Sequence, residues 1–176
     1  QLLPAASESV TASHFAAGWS ADGQALFVVS DRASEFRELM ALNLASGALT
    51  RLSGHIAWDA SPGGATPDGR TLAFKVNADG QETLRLLDAT SGRELPHPAV
   101  PPGRLGGLAF HPTQPWLAFT LSNARSPGDV QVLDVSTGRL VRWAQASAPP
   151  GVDLSTLPDQ EIVRWKSFDG LQISGL

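Results

Sequence analysis

The 176-residue sequence contains no cysteine, which excludes disulfide bonds and thiolate chemistry. Lysine occurs only as Lys75 and Lys166, and the formal net charge is -4. No basic stripe is therefore present to bind a nucleic-acid backbone. No apolar run approaches the roughly 20 residues that a membrane-spanning helix needs. These absences argue against a nucleic-acid partner and against a membrane protein.

The beginning of the chain also lacks a targeting signal. Gln1-Leu2-Leu3-Pro4 has no basic segment followed by an apolar one, so it is not a signal peptide. The compartment stays open between cytoplasm and periplasm, with the cytoplasm slightly favoured. Hydrophobic residues make up 42% of the chain and charged residues 17%, and this balance predicts a folded core.

What the sequence does contain is one segment that occurs three times. Each copy has two characteristic turns, and the glycine that ends the second turn gives the spacing. Gly47 and Gly92 are 45 residues apart, and Gly92 and Gly138 are 46 apart. The turns lie at Ser20–Gly23, Thr66–Gly69 and His111–Gln114, and at Asn43–Gly47, Asp88–Gly92 and Asp134–Gly138. A repeat of this length with four short strands predicts blades of a β-propeller.

The strands follow from short β-rich runs between these turns. Second strands such as Ala25–Val29 are apolar on both faces, which is typical of sheets that are buried on both sides. No segment has a 3.6-residue apolar period, so we predict an all-β fold, a partial propeller of about three four-stranded blades. The predicted strands are His14–Trp19, Ala25–Ser30, Glu38–Leu44, Leu49–Leu52, Ala57–Ala60, Thr71–Val76, Thr83–Asp88, Arg93–Leu95, Leu105–His111, Trp116–Leu121, Val130–Val135 and Leu140–Ala144.

The ends of the chain depart from the repeat. Two strand-like runs flank Asp169-Gly170, which is a strong hairpin signal, and the chain stops inside the second run. We therefore expect a piece of a longer protein. The predicted parts are 1–10 as the last strand of a preceding blade, blades at 11–52, 53–98 and 99–148, a linker at 149–160, and a junction at 161–176.

Several of these motifs resemble one family. The segments Trp19–Gly23, Trp58-Asp59, Thr66–Phe74 and Gly128–Asp134 resemble the propeller of the prolyl oligopeptidase and acylaminoacyl-peptidase family of serine peptidases. Glu161–Leu171 resembles the junction where that family enters its α/β-hydrolase domain. The third blade departs from the pattern, with Thr113-Gln114-Pro115 in place of Asp-Gly.

The resemblance implies a propeller that caps a catalytic domain and admits only short peptides. The catalytic serine, aspartate and histidine would lie beyond Leu176. The hairpin at 161–176 would be the start of the hydrolase domain. We accordingly predict no catalytic, cofactor-binding or metal-binding residue in this chain.

The residues themselves support that prediction. Gly18-Trp19-Ser20-Ala21-Asp22 approaches the Gly-x-Ser-x-Gly of a nucleophile elbow but lacks the final glycine and enters a hairpin. Ser20 is therefore interpreted as a turn residue. The histidines show no metal-ligand spacing, and His111 takes a turn position. The four are His14, His55, His97 and His111.

Repeated polar residues are also interpreted as turn residues, because a single active site would need only one copy of each. They are Asp22, Asp68, Asn43, Asp88 and Asp134. The charged connection Asp31–Arg37 is either a solvated hairpin or a contact to the peptidase domain or to a substrate. His14 or Asp59 either holds water in the central channel or meets a peptide there.

The function we predict is that of a gating, substrate-selecting propeller in a serine oligopeptidase that hydrolyses short peptides or acyl-peptides. The expected partners are the catalytic α/β-hydrolase domain, peptides in transit and, through exposed blade faces, a second copy of the chain. The alternative is a non-enzymatic, protein-binding propeller of the periplasmic Tol-system or scaffold type. A third possibility is a closed four-bladed propeller formed by this chain alone, with Gln1–Leu3 and Glu161–Leu176 in the fourth sheet.

Overall fold

The computed structural model describes residues 11–96 and 99–176. Three four-stranded antiparallel sheets follow one another, and the strands of each sheet lie in chain order. We call them blades 1, 2 and 3. The strands are β1 His14–Trp19, β2 Ala25–Ser30, β3 Glu38–Asn43, β4 Leu49–Arg51, β5 Ala60–Ala65, β6 Thr71–Ala78, β7 Gln81–Asp88, β8 Glu94–Leu95, β9 Arg104–Phe110, β10 Trp116–Asn123, β11 Ser126–Asp134 and β12 Arg139–Ala144. The prediction of an all-β fold with three four-stranded blades is confirmed.

The core consists of two apolar layers, one between each pair of neighbouring blades. Blade 2 contributes to both layers because alternate residues of β6 point to opposite faces. Phe74 packs towards blade 1, and its neighbour Ala73 packs towards blade 3. The first layer contains Ala17, Phe27, Val29, Leu39, Ala60, Leu72, Phe74, Val76 and Leu87. The second contains Ala73, Leu84, Leu86, Leu105, Leu117, Phe119, Leu121 and Leu133.

Each first strand contains a bulge beside glycine. The β1 register shifts between Ala16 and Gly18, and the β5 register shifts between Pro62 and Gly64. The β9 pairing with β10 shifts in the same way. A Cβ on Gly63 would lie 2.7 Å from the Ala73 carbonyl oxygen, so the close approach of β5 to β6 requires glycine there.

This bulge explains one wrong prediction. The first strand of blade 2 was predicted at Ala57–Ala60, but β5 runs over Ala60–Ala65. Pro62, Gly63 and Gly64 have low strand propensity, so the sequence pattern does not predict a strand there. The strand is instead stabilised by packing between blades. Other strand ends differ by a few residues. Residues 1–10, including Gln1–Leu3, and His97 lie outside the described residues.

The β6–β7 hairpin is longer than predicted, because the strands continue to a two-residue turn. Asp79 and Gly80 have φ values of 54° and 86°, and Ala78 pairs with Gln81. Two consecutive positive φ values are typical of a type I′ turn, which is compatible with the twist of the hairpin. The sequence contains this Asp-Gly signal, but our strand prediction did not use it.

The turns divide the blades into two sides. The lower face carries the β1–β2, β5–β6 and β9–β10 turns, together with the turns that enter each fourth strand. The upper face carries the β2–β3 connection Asp31–Arg37, the β6–β7 turn Asp79-Gly80 and the β10–β11 turn at Ala124-Arg125. The chain returns to the upper face after blade 3.

That return ends in a separate sheet. A 3₁₀ turn at Leu154–Thr156 precedes β13 Val163–Lys166 and β14 Gln172–Gly175, which pair with each other as an antiparallel hairpin. We call it the terminal hairpin. The predicted hairpin is confirmed, and within the described residues it forms a two-stranded sheet of its own rather than part of a fourth blade. None of the described helical segments has the length and apolarity to cross a membrane.

Candidate functional site

The candidate site is the upper face of the blades, where the terminal hairpin separates two clefts. The cleft on the blade 3 side has a volume of about 1040 Å³ and is lined by Gln81, Pro102, Arg104, Arg125 and Leu176 among others. The cleft on the blade 1 side has a volume of about 820 Å³, with Phe36, Trp58, Asp79, Ser174 and Leu176 in its walls. We call them the Arg104 cleft and the Trp58 cleft. Leu176 of the terminal hairpin's end belongs to both.

An ion pair joins blades 1 and 2 beneath the Trp58 cleft. Arg37 Nη2 lies 2.8 Å from Asp59 Oδ2, and the Arg37 backbone N–H donates to Asp59 Oδ1 over 2.9 Å. These hydrogen bonds from Arg37 hold the pKa of Asp59 below its ordinary value of 3.8. Asp59 therefore clamps blade 1 to blade 2, and its side chain remains 44% exposed in the wall of the Trp58 cleft.

A second polar clamp joins blades 2 and 3 beside the Arg104 cleft. Lys75 Nζ donates to Glu82 Oε1 and to the Leu105 carbonyl oxygen, each over 2.6 Å. Glu82 Oε2 in turn accepts from the Leu105 backbone N–H over 2.5 Å. The Lys75 and Glu82 side chains are only 19% and 16% exposed, so both charges are largely removed from water and satisfied by each other and by β9.

The terminal hairpin contacts the blades through Asp79. Arg164 Nη2 donates to Asp79 Oδ2, and Ser174 Oγ donates to Asp79 Oδ1 over 2.8 Å. These two hydrogen bonds lower the pKa of Asp79, and the one from Arg164 has the larger effect. Because β13 and β14 each supply one donor, a single carboxylate holds both strands of the hairpin.

The linker before the hairpin has its own contact to blade 3. Arg125 Nε donates to the Leu157 carbonyl oxygen over 3.0 Å, and Arg125 Nη2 lies 3.2 Å from Asp159 Oδ2. These groups are at least half exposed, and exposed ion pairs of this kind contribute little to stability. The contact guides the linker along the edge of the Arg104 cleft.

Ser20, the serine of the incomplete nucleophile-elbow motif, lies on the opposite, lower face. Ser20 Oγ donates to Asp22 Oδ1 over 2.7 Å and accepts from the Ala25 backbone N–H over 2.8 Å. Thr66 repeats both contacts with Asp68 and Thr71 in blade 2. The hydroxyls of Ser20 and Thr66 are the first cause that lowers the pKa of Asp22 and Asp68 respectively. Both hydroxyls thus stabilise turns.

His111 occupies the equivalent position in blade 3. Its Nδ1 accepts from the backbone N–H groups of Thr113 and Gln114 over 3.2 Å and 3.1 Å. An imidazole nitrogen thus caps this turn from the position that the hydroxyl of Ser20 or Thr66 occupies in the other blades. His111 also packs edge-to-face against Trp116, which in turn contacts Trp143 in the same geometry.

The second set of repeated residues closes the turns before the fourth strands. The Oδ1 atom of each residue accepts from the backbone N–H groups of the residues two and three positions later in the chain. Glycine with φ near 70° ends each turn. The residues are Asn43, Asp88 and Asp134, as the sequence predicts.

The remaining candidates are dispersed. His14 lies exposed on β1, and His55 Nε2 lies 3.2 Å from Glu94 Oε1 on the outer rim. Asp31 accepts from the Ser13 backbone N–H and hydroxyl over 2.7 Å and 2.9 Å, so this end of the Asp31–Arg37 connection anchors β1. Across the described ranges, no three His, Cys, Asp or Glu side chains come together as a metal site would require.

Sequence reasoning missed the residues that organise the upper face. Lys75 and Glu82 gave no signal, because their partner Leu105 is supplied through backbone atoms of another blade. Asp79 could have been identified as a hairpin turn, but its bond to Arg164 joins residues 85 positions apart. No local pattern predicts such a pair.

Solved structures share this fold. A prolyl endopeptidase studied for inter-domain dynamics in catalysis and specificity matches with a TM-score of 0.76 at 17% identity, over 94% of this chain and 24% of its own. Prolyl oligopeptidase B from Galerina marginata, bound to a 25mer macrocyclization substrate, matches with a TM-score of 0.78 at 14% identity, over 95% and 23%. This chain thus spans about a quarter of their length.

A propeller of another kind also matches. Putative TolB from Agrobacterium tumefaciens aligns with a TM-score of 0.59 at 19% identity, over 74% of this chain and 48% of its own. Neither models of known protein families nor curated protein sequences match the chain. The likeness is therefore one of fold, and the three blades have the propeller architecture seen in prolyl oligopeptidases.

Proposed function

We propose that this chain is a gating propeller segment of a serine oligopeptidase, together with the first hairpin of the catalytic α/β-hydrolase domain. The observation that carries the proposal is the terminal hairpin. It follows the third blade, lies over the upper face and exposes an apolar surface. The likeness of fold to prolyl oligopeptidases, which covers 94% and 95% of this chain in two solved structures, supports the same arrangement.

The hairpin has two chemically different faces. Paired residues lie on one face of an antiparallel pair, and Arg164 pairs with Ser174 while Trp165 pairs with Ile173. The first pair bonds Asp79 on the blades, so the second pair points away from them. Trp165 is 49% exposed and Phe168 at the turn is fully exposed. Exposed apolar side chains on a two-stranded sheet need a further layer, which the hydrolase domain would supply.

The gating role rests on the upper face and on the inner strands. The clefts beside the hairpin are large enough for a short peptide segment. The inner strands β1, β5 and β9 carry small residues at their bulges, such as Ala16, Gly64 and Gly107. These first strands would line the central channel of the propeller, where small side chains would leave room for a peptide in transit. Under this proposal, the residues that cleave the peptide bond belong to the catalytic domain and not to the blades.

The test compares two purified polypeptides. One is the 176-residue chain, and the other continues in the same reading frame through about 250 further residues, where a Gly-x-Ser-x-Gly elbow would lie. We expect the longer polypeptide to hydrolyse short peptides and to react with a fluorophosphonate probe, and the shorter one to do neither. Turnover by the 176-residue chain, or further blades without an elbow in the longer one, would contradict the proposal.

The second candidate function is a non-enzymatic, protein-binding propeller. The match of the blades to putative TolB favours it, because that likeness covers 74% of the chain. Under this alternative, the longer polypeptide is inert towards peptides and the fluorophosphonate probe and retains one protein partner in a pull-down.

Self-association through exposed blade faces is a further proposed interaction, since Trp143 on blade 3 is 62% exposed. Sedimentation of the 176-residue chain would detect it.

A further inference from the structure

The position of the terminal hairpin is not determined by its connection to blade 3. Residues 145–162 separate β12 from β13 and contain only the 3₁₀ turn Leu154–Thr156. The hairpin nevertheless lies against blade 2 rather than blade 3. In the part of the chain that the structure describes, its side-chain hydrogen bonds to the blades are those of Arg164 and Ser174, and both end on Asp79.

The charge of Asp79 is not required by its turn. The type I′ turn needs positive φ at both central positions, and asparagine adopts that conformation at least as readily as aspartate. The turn also has its own internal bond, because the Gly80 backbone N–H donates to Asn77 Oδ1 over 3.0 Å. The carboxylate of Asp79 is thus left for the hairpin.

The Asp79–Arg164 ion pair is exposed enough to water to form and break reversibly. The Asp79 side chain is 19% exposed and that of Arg164 is 50% exposed, so water and salt compete for the pair. Beside this pair, Leu176 lies close to Gly80, where an added Cβ would be 3.5 Å from Leu176 Cδ1. Release of this one carboxylate would remove the hydrogen bonds of both strands at once.

The same residues form the walls of both clefts. Gly80 and Leu176 line the Arg104 cleft and also the Trp58 cleft, while Asp79 and Ser174 line the latter. A shift of the hairpin away from Asp79 would widen both openings at once. We propose that Asp79 is the acceptor of a charge-dependent latch, which holds the terminal hairpin on the upper face and sets the width of both clefts.

What the clefts admit rests on the proposed function, but the latch itself does not. Because the chain has no cysteine, two spin labels can be attached at Ala45→Cys on the lower face and Phe168→Cys on the hairpin. The label separation measured by electron–electron double resonance reports the position of the hairpin. No peptidase assay is involved, so failure of the latch and failure of the peptidase proposal are separate results.

We expect one narrow distance distribution in the otherwise unaltered chain. Asp79→Asn should raise the fraction of longer distances about fivefold, and Arg164→Gln should do the same. The double variant should go no further than either single one, because both remove one contact. Salt at about 1 M should broaden the distance distribution of the unaltered chain and leave that of Asp79→Asn unchanged.

The matched control is Asp88→Asn, which removes a carboxylate from blade 2 whose bonds lie within its own turn. It should leave the distance distribution unchanged. The latch is overturned if Asp79→Asn keeps the narrow distribution, if Arg164→Gln has no effect, or if Asp88→Asn broadens it equally. Circular dichroism of each variant should show unchanged strand content, since asparagine suits both turns.

Discussion

The lower and upper faces of the blades differ in how their polar residues are used. On the lower face the polar contacts repeat between blades and are local: Asp22 and Asp68 each bond the backbone N–H two residues later. The residues Asn43, Asp88 and Asp134 each bond the backbone N–H three residues later. The upper face has local turn bonds too, such as those of Asn77 and Asn123. It also has contacts that occur once and join distant parts, as Arg37 joins Asp59 and Arg164 joins Asp79. Repetition therefore identifies residues that build the blade, and uniqueness identifies residues that build the site.

One polar pair shows an intermediate case. Glu38 and Arg51 in blade 1 are 13 residues apart, and so are Asp129 and Arg142 in blade 3. Both pairs join the third strand to the fourth. Blade 2 has Thr83 and Pro96 at the corresponding positions, and its fourth strand β8 is only two residues long. Loss of the pair accompanies a shortened outer strand.

The largest effect we predict tests how tightly the lower-face turns pack against one another. In Gly69→Ala the new Cβ would lie 2.4 Å from the Ala21 backbone nitrogen, and φ is +64°. The clash and the left-handed strain together should lower the free energy of unfolding by about 2–5 kcal/mol. Urea denaturation measures this change.

The control for this variant is Gly23→Ala, where φ is +68° and no atom lies within 4 Å of the new Cβ. Only the conformational cost applies, about 1–2 kcal/mol. Equal losses in the two variants would show that the turns of blades 1 and 2 do not pack against each other.

The next effect concerns the clamp between blades 2 and 3. Glu82→Gln leaves Lys75 with little solvent and no opposite charge, and should lower the free energy of unfolding by about 2 kcal/mol. Glu94→Gln removes the partner of Arg85 on the exposed outer rim, which should cost about 0.5 kcal/mol or less. Denaturation of both variants gives the comparison, and a larger loss from Glu94→Gln would contradict it.

A smaller effect depends on pH. The hydrogen bond from Arg51 is the largest cause that lowers the pKa of Glu38, whose side chain is 2% exposed. A carboxylate with a lowered folded-state pKa stabilises the fold above its ordinary value of 4.5, and this contribution is lost as pH falls through the lower folded value. Glu38→Gln should be about 1 kcal/mol less stable than the unaltered protein at neutral pH.

Thermal unfolding measured from about pH 7 to about pH 2 tests this linkage. The stability difference between the two proteins should shrink as the pH falls below 4.5. A difference that stays constant, or grows in acid, would show that Glu38 does not contribute through its charge.

The smallest effect concerns global stability after the latch is broken. Asp79→Asn should change the free energy of unfolding by less than about 0.5 kcal/mol, because the terminal hairpin is peripheral to the two interblade layers. Differential scanning calorimetry would measure the unfolding midpoint of the variant and of Asp88→Asn. A large loss in Asp79→Asn alone would mean that the hairpin is part of the cooperative core.

The sequence predicted the blades well because their determinants are local and repeated. Turn residues such as Asn43 and Gly92 act within a few positions, so spacing alone revealed them. The resemblance to prolyl oligopeptidases was confirmed as a likeness of fold. The strand β5 was misplaced because Pro62 and Gly63 form a strand only through packing against neighbouring strands.

The upper face could not be predicted in the same way. The Asp79–Ser174 bond joins residues 95 positions apart. The Lys75–Leu105 bond uses a backbone carbonyl oxygen, which every residue type has, so the sequence does not mark it. Such contacts depend on the arrangement of whole blades. The ion pair of Asp59 with Arg37 was missed for the same reason, and a channel role for Asp59 stays a prediction.

Amide hydrogen exchange on the 176-residue chain tests the contrast between the faces most directly. We predict slow exchange in the central strands β2, β6 and β10, which lie in the interblade layers, and fast exchange in β13 and β14, whose side-chain bonds to the described blades end on Asp79. Asp79→Asn should accelerate exchange in β13 and β14 and leave the three lower-face turns unchanged. Equal protection of hairpin and blades, or acceleration throughout the blades in Asp79→Asn, would contradict the account.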